Sequence, residues 1–281
     1  MMHLLLTLVV AIVAISWRLS WLPSQGSWQQ RWHYALSGFL LPPILLFTTA
    51  VALVCMGPRG NMVCWWEGWS SYSLGIGFLV IAVGLLGKLA LEGWRSLVQV
   101  RQYEAIDLLG TSGRLLPTQV PYIAQVGFWQ AELVVSQGLL TTLTQEQLAA
   151  VLQHEAAHGD QHDTFWFFWL GWLRRLTGWL PKTDALWQEL LLLRELRADR
   201  QAIEQVDGLL LAEALLTVVS TPMFQTPDIC AAFSEAATRD RLTERIDALL
   251  GEPDVPEPSF KWKWAIFLLS LLPFLLVPFH V

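Results

Sequence analysis

Charge is scarce in this sequence. Only 18 basic and 24 acidic side chains stand among 281 residues, and the net charge of -6 leaves no basic field to hold nucleic acid by counterion release. No nucleic-acid partner is expected. Cysteine is nearly absent, at 3 residues, which excludes a disulfide-stapled mini-protein. Internal repeats and low-complexity tracts are missing as well. The chain is instead 54% hydrophobic with 16 Trp, too apolar for a disordered chain or an ordinary soluble enzyme.

The apolar residues are gathered into runs. Leu4 to Trp17, Tyr34 to Met56, Tyr72 to Leu91 and Trp262 to Val277 are each long enough, or nearly so, to span a hydrocarbon core of about 30 Å at about 1.5 Å per residue. Four transmembrane helices are expected, at about 4–22, 34–56 and 72–91 within an N-terminal region 1–91, and at 261–281. The first run has no Lys or Arg before its apolar core and no small-x-small cleavage site, so it is read as a span rather than a cleaved signal. Pro42 and Pro43 interrupt the second span and predict a bend, which membrane helices tolerate where neighbours satisfy the freed carbonyls. Ten tryptophans, at 17, 21, 28, 32, 65, 66, 69, 94, 262 and 264, fall at or near span ends, where indoles favour the headgroup level.

Flanking charges set the expected orientation. Arg18 and Arg31 lie between spans one and two with no acid, whereas Arg59 between spans two and three is balanced by Glu67. The first loop is therefore expected on the cytoplasmic side, and the segment after span three returns there with Lys88, Arg95 and Arg101, as do Lys261 and Lys263 before the last span. An integral, multi-pass protein of the inner or plasma membrane with a large cytoplasmic region follows. Cys55 and Cys64 then flank the outward loop, where a disulfide is permitted, and Cys230 lies alone inside as a structural residue.

Residues 92–260 have the composition of a folded domain. All acidic residues but Glu67 fall there, and 12 basic against 23 acidic gives 12 − 23 = −11. Glu92 to Leu109 reads as a helix leaving span three, and Thr118 to Ser136 as short strands. A helix is predicted from about Gln145, capped by Thr144 with Gln147 three residues on and stopped by Gly159. The stretch Gly251 to Pro258 reads as a solvated linker. The fold class expected is mainly α: membrane helices plus a folded domain with a small β-sheet.

The capped helix carries His154-Glu155-Ala156-Ala157-His158. Histidines at i and i+4 share one helix face, so their imidazoles can converge on one zinc ion, with Glu155 beside them to take a proton from water. A second segment, Glu195-Leu196-Arg197-Ala198-Asp199, lies in the helical run Ala185 to Gln205. Catalytic zinc sites use three protein ligands and an open fourth position; Glu195 can be the third ligand and Asp199, one turn on, can accept a hydrogen bond from a ligand imidazole. Taken without the histidines, Glu195 and Asp199 would read as a solvated face paired with Arg197 and Arg200. His162, close after the motif, is read as a surface residue rather than a fourth ligand.

The run Leu148 to His158, then Asp163, then Arg194-Glu195 through Ala198-Asp199-Arg200, resembles the integral-membrane gluzincin metallopeptidases: the HtpX and CAAX-prenyl-protease family and the peptidase domains of β-lactam sensor-transducers. The similarity covers roughly Pro117 to Gly251, including Gly138-Leu139-Leu140 and Glu244-Arg245-Ile246. It implies a cytoplasmic gluzincin-like domain holding one Zn2+ per chain through His154, His158 and Glu195, catalysis by Glu155, and support from Asp199, orienting His154, and from Asp163. HtpX-like members carry a His-Pro shortly before the Glu-Arg-Ile element, where this chain has Arg239-Asp240-Arg241. The oxyanion stabiliser is accordingly assigned to Arg245 or Arg241, ahead of Tyr103 or Tyr122.

Peptide-bond hydrolysis of membrane-associated or misfolded proteins is the function expected, with a protein or peptide substrate and the lipid bilayer as partners. The strand pattern Phe128 to Ser136 offers either an edge for an extended substrate or an ordinary internal hairpin. Segment 164–180, with Trp166, Trp169, Trp172 and Trp179, cannot cross the membrane once without separating His158 from Glu195. Arg174 and Arg175 at mid-span would each cost about 2.5–3.5 kcal/mol, so the segment is read as interfacial, with a buried core helix as the alternative. A peptidase-fold signalling or scaffold module, acting on one regulator or by conformational coupling, is the second function class.

Overall fold

Three long helices open the chain: α1 (Met2–Ser20), α2 (Trp28–Met56) and α3 (Trp65–Val100). The computed structural model describes residues 2–23, 26–59, 65–220, 239–251 and 268–279. All three helices are long and apolar enough to cross a membrane. Leu5, Leu8 and Ile12 of α1 and Val80, Ile81 and Val83 of α3 are exposed, an apolar surface suited to lipid and poorly suited to water. Of the expected fourth span, only 268–279 is described, and Leu272–Phe279 is a 3-10 helix there, in which Pro273 and Pro278 can donate no α-helical hydrogen bond. Cys64, Cys230, most of the linker 251–258 and the start of the last run lie outside the described residues; Cys55 is free.

The chain divides into two compact units. One comprises Met1–Leu89, Leu170–Leu190 and Val255–Val281. Its α2 is one helix on both sides of Pro42 and Pro43, and Pro43 has no N–H for the carbonyl of Phe39, four residues back. Arg18, fully buried, donates from Nη2 to that carbonyl at 3.1 Å and stacks its guanidinium over the Phe39 ring. Residues 170–190 belong to this unit: Trp172 donates to the Ala82 carbonyl at 2.8 Å, Trp187 packs on Phe39, and Arg31 pairs with Glu189 at 2.8 Å.

The second unit, Ala90–Trp169 and Leu191–Asp254, holds the sheet and the remaining helices. Strands β1 (Glu104–Leu108), β2 (Thr111–Leu116), β3 (Ile123–Val126) and β4 (Glu132–Ser136) are ordered β1-β2-β4-β3. The helix expected over 92–109 ends at Val100, because Leu109 and Gly110 both take positive φ (54° and 86°) and close a two-residue hairpin between β1 and β2. Glycine adopts that conformation without strain. β4 pairs parallel with β2 and antiparallel with β3, so the expected edge within 128–136 is an interior strand, and β1 and β3 are the edges of the sheet.

Helices α4 (Gln137–Thr142), α5 (Gln145–Asp160), α6 (Asp163–Leu176), α7 (Thr183–Ala202), α8 (Gly208–Ser220) and α9 (Arg239–Leu250) follow. The core joins Leu133 and Val135 of β4 to Leu139, to Ala150, Val151 and Leu152 of α5, and to Leu211, Ala212 and Ala214 of α8. α6 buries Phe167, Leu170, Leu173 and Leu176 along one face and leaves Trp166 exposed on another.

Candidate metal centre

α5 is built to start where it does. The Thr144 side chain accepts from the Gln147 amide at 3.2 Å and the Gln147 side chain from the Thr144 amide at 3.1 Å, two otherwise orphaned donors satisfied at once. The helix runs one residue past the expected stop at Gly159, to Asp160, and reverses at His162, which takes φ 53°. With Ala150, Val151 and Leu152 in the core, the spacing of four brings His154 and His158 out together on another face.

His154 Nε2 and His158 Nε2 lie 3.1 Å apart, and the Glu195 carboxylate of α7 brings Oε2 to 3.3 Å from the first and Oε1 to 3.7 Å from the second. The opposite ring nitrogens meet carboxylates: His154 Nδ1 lies 2.8 Å from Asp199 Oδ1, and His158 Nδ1 lies 2.7 Å from Asp163 Oδ2. Acids at both Nδ1 atoms favour protons there, which turns two Nε2 lone pairs towards each other and towards a carboxylate. That arrangement is repulsive without a cation between them. Donors about 2.0–2.2 Å from a tetrahedral zinc ion lie about 3.3–3.5 Å from one another, so these three groups fit a zinc-sized ion.

Three arginines complete the cluster. Arg194 donates to Glu195 Oε1 from Nε at 3.0 Å and from Nη2 at 2.6 Å, with its guanidinium over the Phe167 ring of α6. Arg245 of α9 grips Asp199 through Nε and Nη2, both at 2.7 Å, and holds Nη1 3.3 Å from Glu195 Oε2. Arg197 hydrogen-bonds Asp163. Burial pushes Glu195 up, but Arg194, His158 and Arg245 outweigh it and hold the carboxyl well below its usual range. Burial likewise opposes a charge on His154, yet Asp199 and Glu195 prevail, and the metal-free imidazole is raised to about 9. His158 is raised for the same reasons, with Glu195 and Asp163 overcoming burial.

Glu155 is buried beside His154, its backbone carbonyl accepts from Gln125 Nε2 of β3 at 3.3 Å, and among the described residues nothing hydrogen-bonds its carboxylate. Of the two candidate arginines, Arg245 meets the cluster through its guanidinium, and Arg241, one turn earlier, is half-buried. Tyr103 and Tyr122 pack instead against Val100, Leu116 and Val134. His162 is exposed and stacks on Trp129. Sequence reasoning did not reach the grip of Arg194 on Glu195 or of Arg197 on Asp163; their positions at −1 and +2 from the acidic ligand were the available signal.

Residues 124–251 match the model of a family described as Peptidase family M48, and every ligand, carboxylate and arginine named above for the cluster falls inside that stretch. No curated protein and no solved structure matches the chain.

Proposed function

We propose that this chain, whose residues 124–251 form a domain of peptidase family M48, is a membrane-bound zinc endopeptidase that hydrolyses peptide bonds of membrane-associated or misfolded proteins. The observation carrying this reading is the convergence of His154, His158 and Glu195, which can hold one metal ion, beside the Glu155 carboxylate, which no described residue hydrogen-bonds. Zinc, when bound, supplies a Lewis acid and lowers the pKa of water towards ~7.

The protein's own groups do the rest. Glu155 accepts the proton from water and returns it to the leaving amine, so no covalent intermediate forms on the enzyme. Asp199 and Asp163 fix the rings of His154 and His158 with Nε2 inward. Arg245 holds Asp199 with Nε and Nη2, and its Nη1, 3.3 Å from the Glu195 carboxylate, brings positive charge to the site where negative charge develops on the scissile carbonyl oxygen. The edge strand β3, tied to α5 through Gln125, takes an extended substrate as an added strand. The domain faces the cytoplasm, on the flanking-charge argument.

The test is zinc content and cleavage of an unfolded model protein by the purified full chain and by Glu155→Ala. We expect about one zinc per chain in both and a loss of cleavage of about 10²–10⁴-fold in the variant. Equal cleavage by the variant would make the base assignment wrong. Absence of zinc from both would remove the enzyme class, and zinc without cleavage by the wild type would favour the signalling module.

A further inference from the structure

The turn between β3 and β4 is set up by Gly127, whose φ of 148° suits glycine and whose added Cβ would lie 2.7 Å from the Gln130 carbonyl oxygen. Phe128 and Trp129 project from that turn. Phe128 packs against Phe165, Phe168 and Trp169 of α6, at centroid separations of 5.0, 4.7 and 6.4 Å. Trp129 packs edge-on against Phe165 at 4.9 Å and stacks on His162. Together with Trp166 they make one continuous aromatic face, on which Trp129 remains 73% and Trp166 58% exposed. Residues 127–131 carry no charge, and neither do the α6 residues of the face.

We propose that this aromatic face is a docking surface for the headgroup region of the lipid bilayer, with Trp129 and Trp166 as its anchors. Three observations favour lipid over a polypeptide. Indoles with one N–H and a broad apolar body suit the boundary between headgroups and acyl chains, and an uncharged face of this kind meets no desolvation penalty there. Recognition of an extended peptide by strand addition needs unpaired backbone groups, and those belong to the neighbouring edge strand β3 rather than to this face. The bilayer is also reached by the same chain, because the unit that carries the turn begins at Ala90, within the helix α3 whose apolar run is long enough to cross a membrane. Trp129 belongs to no span end, so its exposure has no other account in the membrane-helix pattern.

The face adjoins the metal centre through its own helix. Asp163 at the start of α6 meets His158, and Phe167, one turn on, lies under the Arg194 that grips Glu195. Docking would thus seat the helix that supports two of the three ligands. The inference rests on the membrane-bound reading above, but it needs neither metal nor activity.

It is tested on the full chain reconstituted in phosphatidylcholine nanodiscs, with Cys55, Cys64 and Cys230 changed to Ser and an environment-sensitive fluorophore attached at Trp129→Cys. Glu146→Cys, exposed at the start of α5, serves as the aqueous reference. The expected result is blue-shifted emission at 129 relative to 146, quenched by headgroup-labelled lipid and shielded from aqueous iodide. Water-like emission at 129 with full iodide quenching overturns the proposal. So does shielding that develops only when an apolar peptide is added, which would assign the face to substrate. Repeating the measurement with Trp166→Cys keeps the test decisive if one variant folds poorly. A lipid-shielded label on a chain that binds no zinc would keep the docking surface and remove the peptidase reading; a zinc-binding, active chain with an aqueous label would do the reverse.

Discussion

Each histidine of the proposed metal centre turns one ring nitrogen to the cluster and the other to an acid, and each acid is in turn held by an arginine: His154 by Asp199 and Arg245, His158 by Asp163 and Arg197. Supporting carboxylates of this kind set ring orientation and basicity, so Asp199→Asn should weaken zinc binding by about 10–100-fold, measured against a competing chelator. Unchanged affinity would show that Asp199 serves the fold alone. The same groups predict a pH dependence. Because the metal-free His154 is raised from 6.5 to about 9, a proton competes with the metal across the neutral range. Apparent zinc affinity should therefore keep rising up to about pH 9 rather than level off near 6.5; a plateau from pH 7 upward would contradict the assignment. The sign for stability is the opposite. The His154 contribution to the metal-free fold is complete below 6.5 and is lost as pH rises through about 9.

At the scale of elements, α5 was legible because its signals are local: a capping pair three residues apart, histidines four apart and an apolar face. The β1–β2 hairpin was hidden, since 92–109 begins as the end of a long helix and only the left-handed Leu109–Gly110 pair marks the reversal. The interior place of β4 was hidden too, because its parallel pairing with β2 joins strands separated in sequence by β3. The Pro42–Pro43 interruption of the helix hydrogen bonding was legible in the sequence, but the group that answers it was not. Arg18→Met should orphan the Phe39 carbonyl and cost about 1–3 kcal/mol in unfolding measurements in detergent. The cost should fall sharply in a Pro43→Ala background, where a backbone N–H can take over that carbonyl. Equal costs in the two backgrounds would show that Arg18 is not repairing the helix.

Taken whole, the chain joins a stretch that matches the model of peptidase family M48, residues 124–251, to three apolar helices long enough to cross a membrane. Its sidedness is open to thiol labelling in sealed vesicles. Under the proposed orientation a Glu146→Cys probe reacts from the cytoplasmic side and Cys64 only from the opposite one; Cys64 reacting from the cytoplasm would invert the topology. Burial of Arg18 has a consequence for how that topology is reached. In the finished protein its guanidinium is enclosed and engaged with Phe39, unable to act as a surface charge. Under the flanking-charge argument it does act as one, so its influence on orientation belongs to insertion, before α1 and α2 pack. One arginine would then be read twice in the life of the molecule, first by the insertion machinery as a charge that stays behind and later by the neighbouring helix as a hydrogen-bond donor.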